Sequence, residues 1–197
     1  MTGSRRFSQA ISEGDGISLV AAVGAPEEAR TAEGAGAEAV LVWSGLERDL
    51  RAIREATSLP ILFYWDGERA ASLEGADACL VEARGERDRE LVEHAHVELA
   101  DRFELALQIE DEEHLASALE DFDPEVFVLA AREDGDEEPL EQVLDLLPDV
   151  PAGKLAIAQL PSLSADDVAV LERAGVDGVI VGAGDVGELT GDASRIA

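Results

Sequence analysis

Five side chains capable of chemistry fall at or just beyond the ends of apolar runs: Asp66, Glu82, Arg84, Glu110 and Arg132. Carboxylates gathered on one rim can act as general acid and base or hold a divalent cation. In so acidic a chain they also read as a solvated, ion-paired rim. Glu82 interrupts an otherwise apolar stretch, so its burial would require a partner such as Arg84 or Arg132. Gln108 ends a similar run with an amide, which cannot exchange a proton near neutral pH. Gly182-Ala-Gly-Asp-Val-Gly187 offers the N–H groups of Gly182 to Gly184 to a phosphate, although Asp185 would repel an anion. A plain glycine-rich connection is the other reading. As a dinucleotide fingerprint the segment fails, because no second βαβ half follows. Tyr64 and Trp65 could form an aromatic lip for a planar ligand, yet alternation turns Trp65 outward, under a helix. His94 and His96 diverge on a helical stretch and His114 lies on another, so no metal site is expected.

The elements that must position these groups alternate strictly between strand and helix. In 103–109, Phe103, Leu105, Leu107 and Ile109 share one face, and Glu104, Ala106 and Gln108 share the other. Asp111 follows as an N-cap, with Leu115, Leu119 and Phe122 at helical spacing. Seven further strands are expected at 18–23, 39–43, 60–65, 78–83, 126–130, 154–159 and 178–181, and helices at 27–34, 46–57, 86–99, 111–122, 139–147 and 165–174. Eight such units make a compact, single-domain (β/α)8 TIM barrel over residues 1–197, with a lead-in helical segment at 1–16 and a short tail at 190–197. An open doubly wound sheet is the alternative, but its glycine-rich loop after the first strand is missing. Gly36-Ala-Glu-Ala, Gly75-Ala-Asp-Ala and Gly175-Val-Asp-Gly recur before the second, fourth and eighth strands. Glycine there suits a left-handed turn, and the acid begins the connection.

Composition narrows the partners. A net charge of −29 excludes the basic patches that nucleic acid and anionic membranes require, and mildly favours a monomer. Lys154 is the sole lysine and begins a strand, which puts it at the end of the barrel opposite the functional rim. The acidity fits either a protein tuned to high salt or a plainly acidic surface. No secretion signal or membrane-length apolar run is seen, and the single cysteine, Cys79, reads as a buried structural thiol; the cytoplasm is the expected compartment.

With this order in place, 7–23, 46–62, 105–119 and 164–182 resemble indole-3-glycerol-phosphate synthase, the tryptophan-pathway lyase barrel. The resemblance implies a family-equivalent catalytic set at Tyr64, Gln108, Ala130 and Gln159, and substrate-binding positions at Arg132, Ser162, Gly182 and Gly184. Of that catalytic set, the family has lysine where Tyr64 stands, glutamates at Gln108 and Gln159, and asparagine at Ala130. Ring closure with decarboxylation and dehydration needs an acid, a base and a cation. The expectation is therefore a minimal barrel with a degenerate active site: a non-catalytic scaffold or small-molecule binder. The alternative is a lyase or isomerase acting on a phosphorylated small molecule through the rim carboxylates Glu82 and Asp66. No cofactor or metal is implied.

Overall fold

The computed structural model describes residues 5–14, 16–67, 73–83, 86–132, 135 and 137–193. Its strands are β1 (Ser18–Val23), β2 (Ala39–Val42), β3 (Ile61–Tyr64), β4 (Ala78–Glu82), β5 (Glu104–Ile109), β6 (Val126–Ala130), β7 (Leu155–Gln159) and β8 (Gly178–Gly182). All neighbours pair in parallel, and β8 returns to β1, so the sheet closes in sequence order. The helices are α1 (Arg6–Ser12), α2 (Pro26–Ala35), α3 (Glu47–Ala56), α4 (Glu86–Leu99), α5 (Glu112–Asp121), α6 (Pro139–Leu146), α7 (Ala165–Ala174) and α8 (Val186–Ala193). The (β/α)8 barrel read from the alternation is the fold. Residues 190–193, expected as tail, belong to α8.

Alternation along each strand divides the core in two. Side chains such as Val40, Phe63, Val81, Leu107 and Leu129 face the helices, while Val20, Leu41, Leu62, Leu80, Ala106, Val128, Ile157 and Ile180 fill the interior. The register stacks the interior as layers taken from alternate strands: Val20, Leu62, Ala106 and Ile157, then Leu41, Leu80, Val128 and Ile180 toward the C-terminal end. The wall is therefore a packed core and not a channel.

The N-terminal end is closed by α1. Phe7 and Ile11 are buried in the interior cluster, each contributing about 1.5–3 kcal/mol by leaving water. Glu104, the first inward residue of β5, accepts from the main-chain N–H of Phe7 at 2.7 Å and of Ser8 at 3.1 Å. Its carboxylate thus answers donors that a helix start leaves open. Arg6 and Arg54 both reach Asp77, at 3.2 and 3.0 Å.

The glycine–acid repeat has a structural meaning that sequence spacing left incomplete. Ile61 N–H donates to Asp77 Oδ2 at 2.9 Å, and Asp77 N–H donates back to the Ile61 carbonyl at 2.9 Å. Leu19 and Glu38 exchange the same pair of bonds, as do Ala156 and Asp177. Each acid therefore clasps the start of the preceding strand instead of merely opening a connection. The clasps join β1 to β2, β3 to β4 and β7 to β8. The positive φ of Gly36, Gly75 and Gly175 (99°, 116° and 96°) turns the chain so that the acid arrives in place.

Candidate functional site

The interior layers continue to the C-terminal mouth with a change of chemistry. Ala22, Tyr64, Gln108 and Gln159 form the next layer, from β1, β3, β5 and β7; above them come Trp43, Glu82, Ala130 and Gly182. Gln108 is 3% exposed. Its Oε1 and that of Gln159 are both buried without a hydrogen-bond partner. A buried acceptor left unanswered costs about 1–3 kcal/mol, so two in one layer mark a place not built for stability alone. At the same end of the barrel the rings of Trp43 and Tyr64 lie 5.2 Å apart, tilted by 50°. Glu82, half-buried, is the register partner of Gln108.

Of the positions expected from sequence, the mouth brings together Tyr64, Gln108, Ala130 and Gln159, with Glu82 beside them. Asp66 lies past the end of β3 and is exposed. Arg132 is exposed too, and lines a cleft of about 470 Å³ with Glu110, Asp111, Glu137 and Asp145. Its main-chain N–H donates to Gln142 Oε1 at 2.9 Å, and Gln142 Nε2 donates to the Glu137 carbonyl at 2.8 Å, which fixes this part of the rim. Arg84, the other expected partner of Glu82, lies outside the described residues. Ser162 is exposed in the connection to α7.

The glycine loop after β8 is set against an anion. A methyl added at Gly182 would stand 2.7 Å from Asp185 Oδ2, so that carboxylate lies over the turn. Gly184 and Ala183 share a hollow of about 460 Å³ with Glu27 and Glu28. Glu28 Oε2 accepts from Gly24 N–H at 2.6 Å. Negative charge thus surrounds the place where a phosphate would sit.

Trp65, turned outward, is 2% exposed and stacks on His94 with centroids 5.5 Å apart. The aromatic partner of Tyr64 is Trp43, which sequence reading placed in a strand without a role. The signal was available: Trp43 is two residues beyond Leu41 and shares its inward parity. His96 packs against Phe122, and His114 lies beside Asp111, so the three histidines do not converge. Among the described residues no group of three or more His, Cys, Asp or Glu is placed to hold a metal. Burial pushes the Cys79 thiol up to about 12, which leaves it un-ionised. Lys154 bonds Asp123 at 3.0 Å, at the N-terminal end of the barrel. No described helix is long and apolar enough to cross a membrane.

No family model matches the chain. Among solved structures it is similar to phosphonopyruvate hydrolase, in a complex with oxalate and Mg++, with a TM-score of 0.67 and 19% identity, covering 100% of this chain and 86% of that one. It is also similar to a point variant of mandelate oxidase, with a TM-score of 0.65 and 18% identity over 87% of this chain and 67% of that one. The likeness extends to the fold alone. These neighbours overturn the expected membership of the indole-3-glycerol-phosphate synthase family. The stretches that carried that resemblance are strand–helix units, which any barrel of this architecture shares, whereas the catalytic residues were missing from the outset.

Proposed function

We propose that the protein binds a small molecule at its C-terminal mouth and performs no acid–base chemistry there. One observation carries the reading: the carbonyl oxygens of Gln108 and Gln159 are buried, unanswered, and stand in one layer with Tyr64, whose ring meets that of Trp43. A glutamine accepts and donates hydrogen bonds but does not transfer protons at neutral pH, so such a layer selects and holds without turning over. The site sits at the end of the barrel where this fold builds its sites. Trp43 is 36% exposed and its ring meets that of Tyr64 at this end of the barrel.

A lyase or isomerase working through rim carboxylates stands second. Glu82, half-buried next to Gln108, favours it. Asp66 in solvent, Arg132 in a separate cleft and Asp185 over Gly182 weigh against a phosphorylated substrate.

The test is a screen of small planar molecules by tryptophan emission, on the parent chain and on the Gln108→Leu, Gln159→Leu double variant. A ligand bound by the first, lost in the second and recovered unchanged supports the reading. Binding that is indifferent to the double substitution, or catalytic consumption of the ligand, overturns it.

A further inference from the structure

We infer that a hollow on the outside of the barrel wall, between β5, α4 and α5, binds a small uncharged aromatic molecule. It lies toward the N-terminal end and does not depend on the mouth reading. The outward side chains of the eight strands all belong to the described residues, and from Leu19 of β1 to Val181 of β8 they are buried under the helices. Leu105 is the exception: it faces the helix layer yet is only half-buried. A cavity of about 210 Å³ stands over it, walled by Val92 and Phe122 on the helix side and by Phe103, Leu107 and Val126 on the sheet side. That volume suits a single-ring guest, since an apolar cavity of roughly 150 Å³ takes benzene.

The lip holds the hollow open. Asp123, which follows Phe122, adopts a left-handed conformation with φ 46°, and its N–H donates to the Ala118 carbonyl at 3.0 Å. Lys154 grips the same residue twice, through its carboxylate at 3.0 Å and its carbonyl at 3.3 Å. Pro124 comes next, buried, with φ fixed by its ring. The end of α5 is thereby pinned beside Leu105 instead of collapsing onto it. A guest meets a cavity already formed.

The lining sets the chemical class. Three rings border the hollow: Phe103, Phe122 and His96, the last with its centroid 6.2 Å from that of Phe122 and tilted by 50°. Rings so placed favour a flat aromatic guest over a saturated one. Charge of either sign is disfavoured. Glu104, Asp123 and Glu125 stand at the rim and repel an anion, yet Glu104 is bonded to the N–H groups of α1 and the other two to Lys154. Arg5 on the rim and Arg102, 4.9 Å over the Phe103 ring, oppose a cation. A charged guest would also leave water for an apolar wall. The neighbouring hollow of about 290 Å³ shares Val92 and Phe122, but it is lined by Arg89, Glu113, His114 and Ser117, and the Arg89–Asp121 pair ties α4 to α5 beside it at 3.1 Å. That second hollow is polar, so the aromatic guest belongs to the first.

The experiment titrates the full chain, isotope-labelled at its leucine and valine methyls, with toluene, methylcyclohexane and benzoate, and follows the methyl resonances by NMR. Toluene is expected to bind at least tenfold more tightly than benzoate and several-fold more tightly than methylcyclohexane. It should shift the methyls of Leu105, Leu107, Val92 and Val126 and leave those of Leu41 and Leu80, beneath the mouth, in place. Leu105→Trp, which fills the hollow, should abolish the binding. Shifts centred on Leu41 and Leu80 overturn the placement, and tighter binding of benzoate or methylcyclohexane overturns the class. Absence of binding by every probe, or toluene binding that survives Leu105→Trp, would make the hollow a packing void only. A concentration-dependent dimer that shields the Leu105 methyls from toluene would give the hollow to a second copy and overturn the proposal as well. The methyl shifts of the parent chain decide the matter even where the variant does not fold.

Discussion

Glu104 reaches from the inner face of the barrel wall to the main-chain N–H of Phe7, 2.7 Å away and 97 residues earlier in the chain. A carboxylate inside the barrel is thereby spent on a helix that lies outside the sheet. Glu104→Ala should loosen α1 and lower unfolding free energy by about 1.5–3 kcal/mol, the range for a hydrogen bond to a charged group. Urea denaturation measures it; a change below about 0.5 kcal/mol would mean that Phe7 and Ile11 hold α1 by packing alone.

Asp77 and Asp177 occupy equivalent places in the repeat but should differ in weight. Both close the same exchange of bonds, yet Asp77 also answers Arg6 and Arg54, its side chain being 14% exposed. Asp77→Asn should cost about 3 kcal/mol, because two guanidinium groups lose their shared anion. Asp177→Asn should cost less. Equal losses in parallel denaturation curves would contradict this ranking.

Burial raises the pKa of Asp177 despite the bonds it accepts, which favour the anion. The folded state therefore holds this proton more tightly than the unfolded chain. Its contribution to stability falls as pH rises from the ordinary aspartate value, about 3.9, through the raised one. The stability gap between the parent and Asp177→Asn should accordingly widen as pH is lowered through that window. Glu33 and Asp167 run the other way: hydrogen bonds from Ser58 and Ser164 lower them, so their contributions are lost on acidification. A gap that is constant from pH 7 to pH 4 would remove Asp177 from the account.

A surplus of 44 acidic over 15 basic side chains repels itself in the folded state. The melting temperature should rise from low to molar sodium chloride and level off once the surface charges are screened. A flat profile would contradict this self-repulsion, because 15 basic side chains leave 29 acids without a counter-charge.

Gln108→Leu should stabilise the protein by about 1 kcal/mol while removing ligand binding. Replacing a buried, unanswered acceptor with an apolar side chain of similar size removes a desolvation cost. A variant that loses both stability and binding would instead show that the amide has a structural partner in solution.

Sequence alone carried the fold far because the signals for it are local. Phe103 to Ile109 alternate, Asp111 caps, and Leu115 follows at helical spacing; the structure needs nothing further to place β5 and α5. The inward position of Gln108 followed from the same parity, as did the outward position of Trp65. The site was less legible because its relationships cross strands. Trp43 and Tyr64 meet through the pairing of β2 with β3, and the main chain of Arg132 is held by Gln142 of α6, ten residues on. The glycine–acid repeat was visible, but its purpose depended on knowing which strand lay alongside. Shared architecture also looks like kinship, because strand–helix units such as 46–62 and 105–119 belong to any barrel of this kind.

The clasp has a fourth place, and it is unused. Register sets Glu125 opposite Leu105 as Asp77 is set opposite Ile61, yet Glu125 turns toward Lys154, 3.7 Å away, and the exchange with Leu105 is absent. A cavity of about 210 Å³ lies at that same junction, lined by Leu105, Glu125 and Phe122. A ring fastened at three of four corresponding points has a seam. Transient opening should begin between β5 and β6, where it would turn the cylinder into a sheet with two raw edges. Faster amide exchange in those two strands than in β1 or β8 would be its visible trace. The seam would also make β5 and β6 the natural site for a cut in any attempt to split this barrel into two fragments.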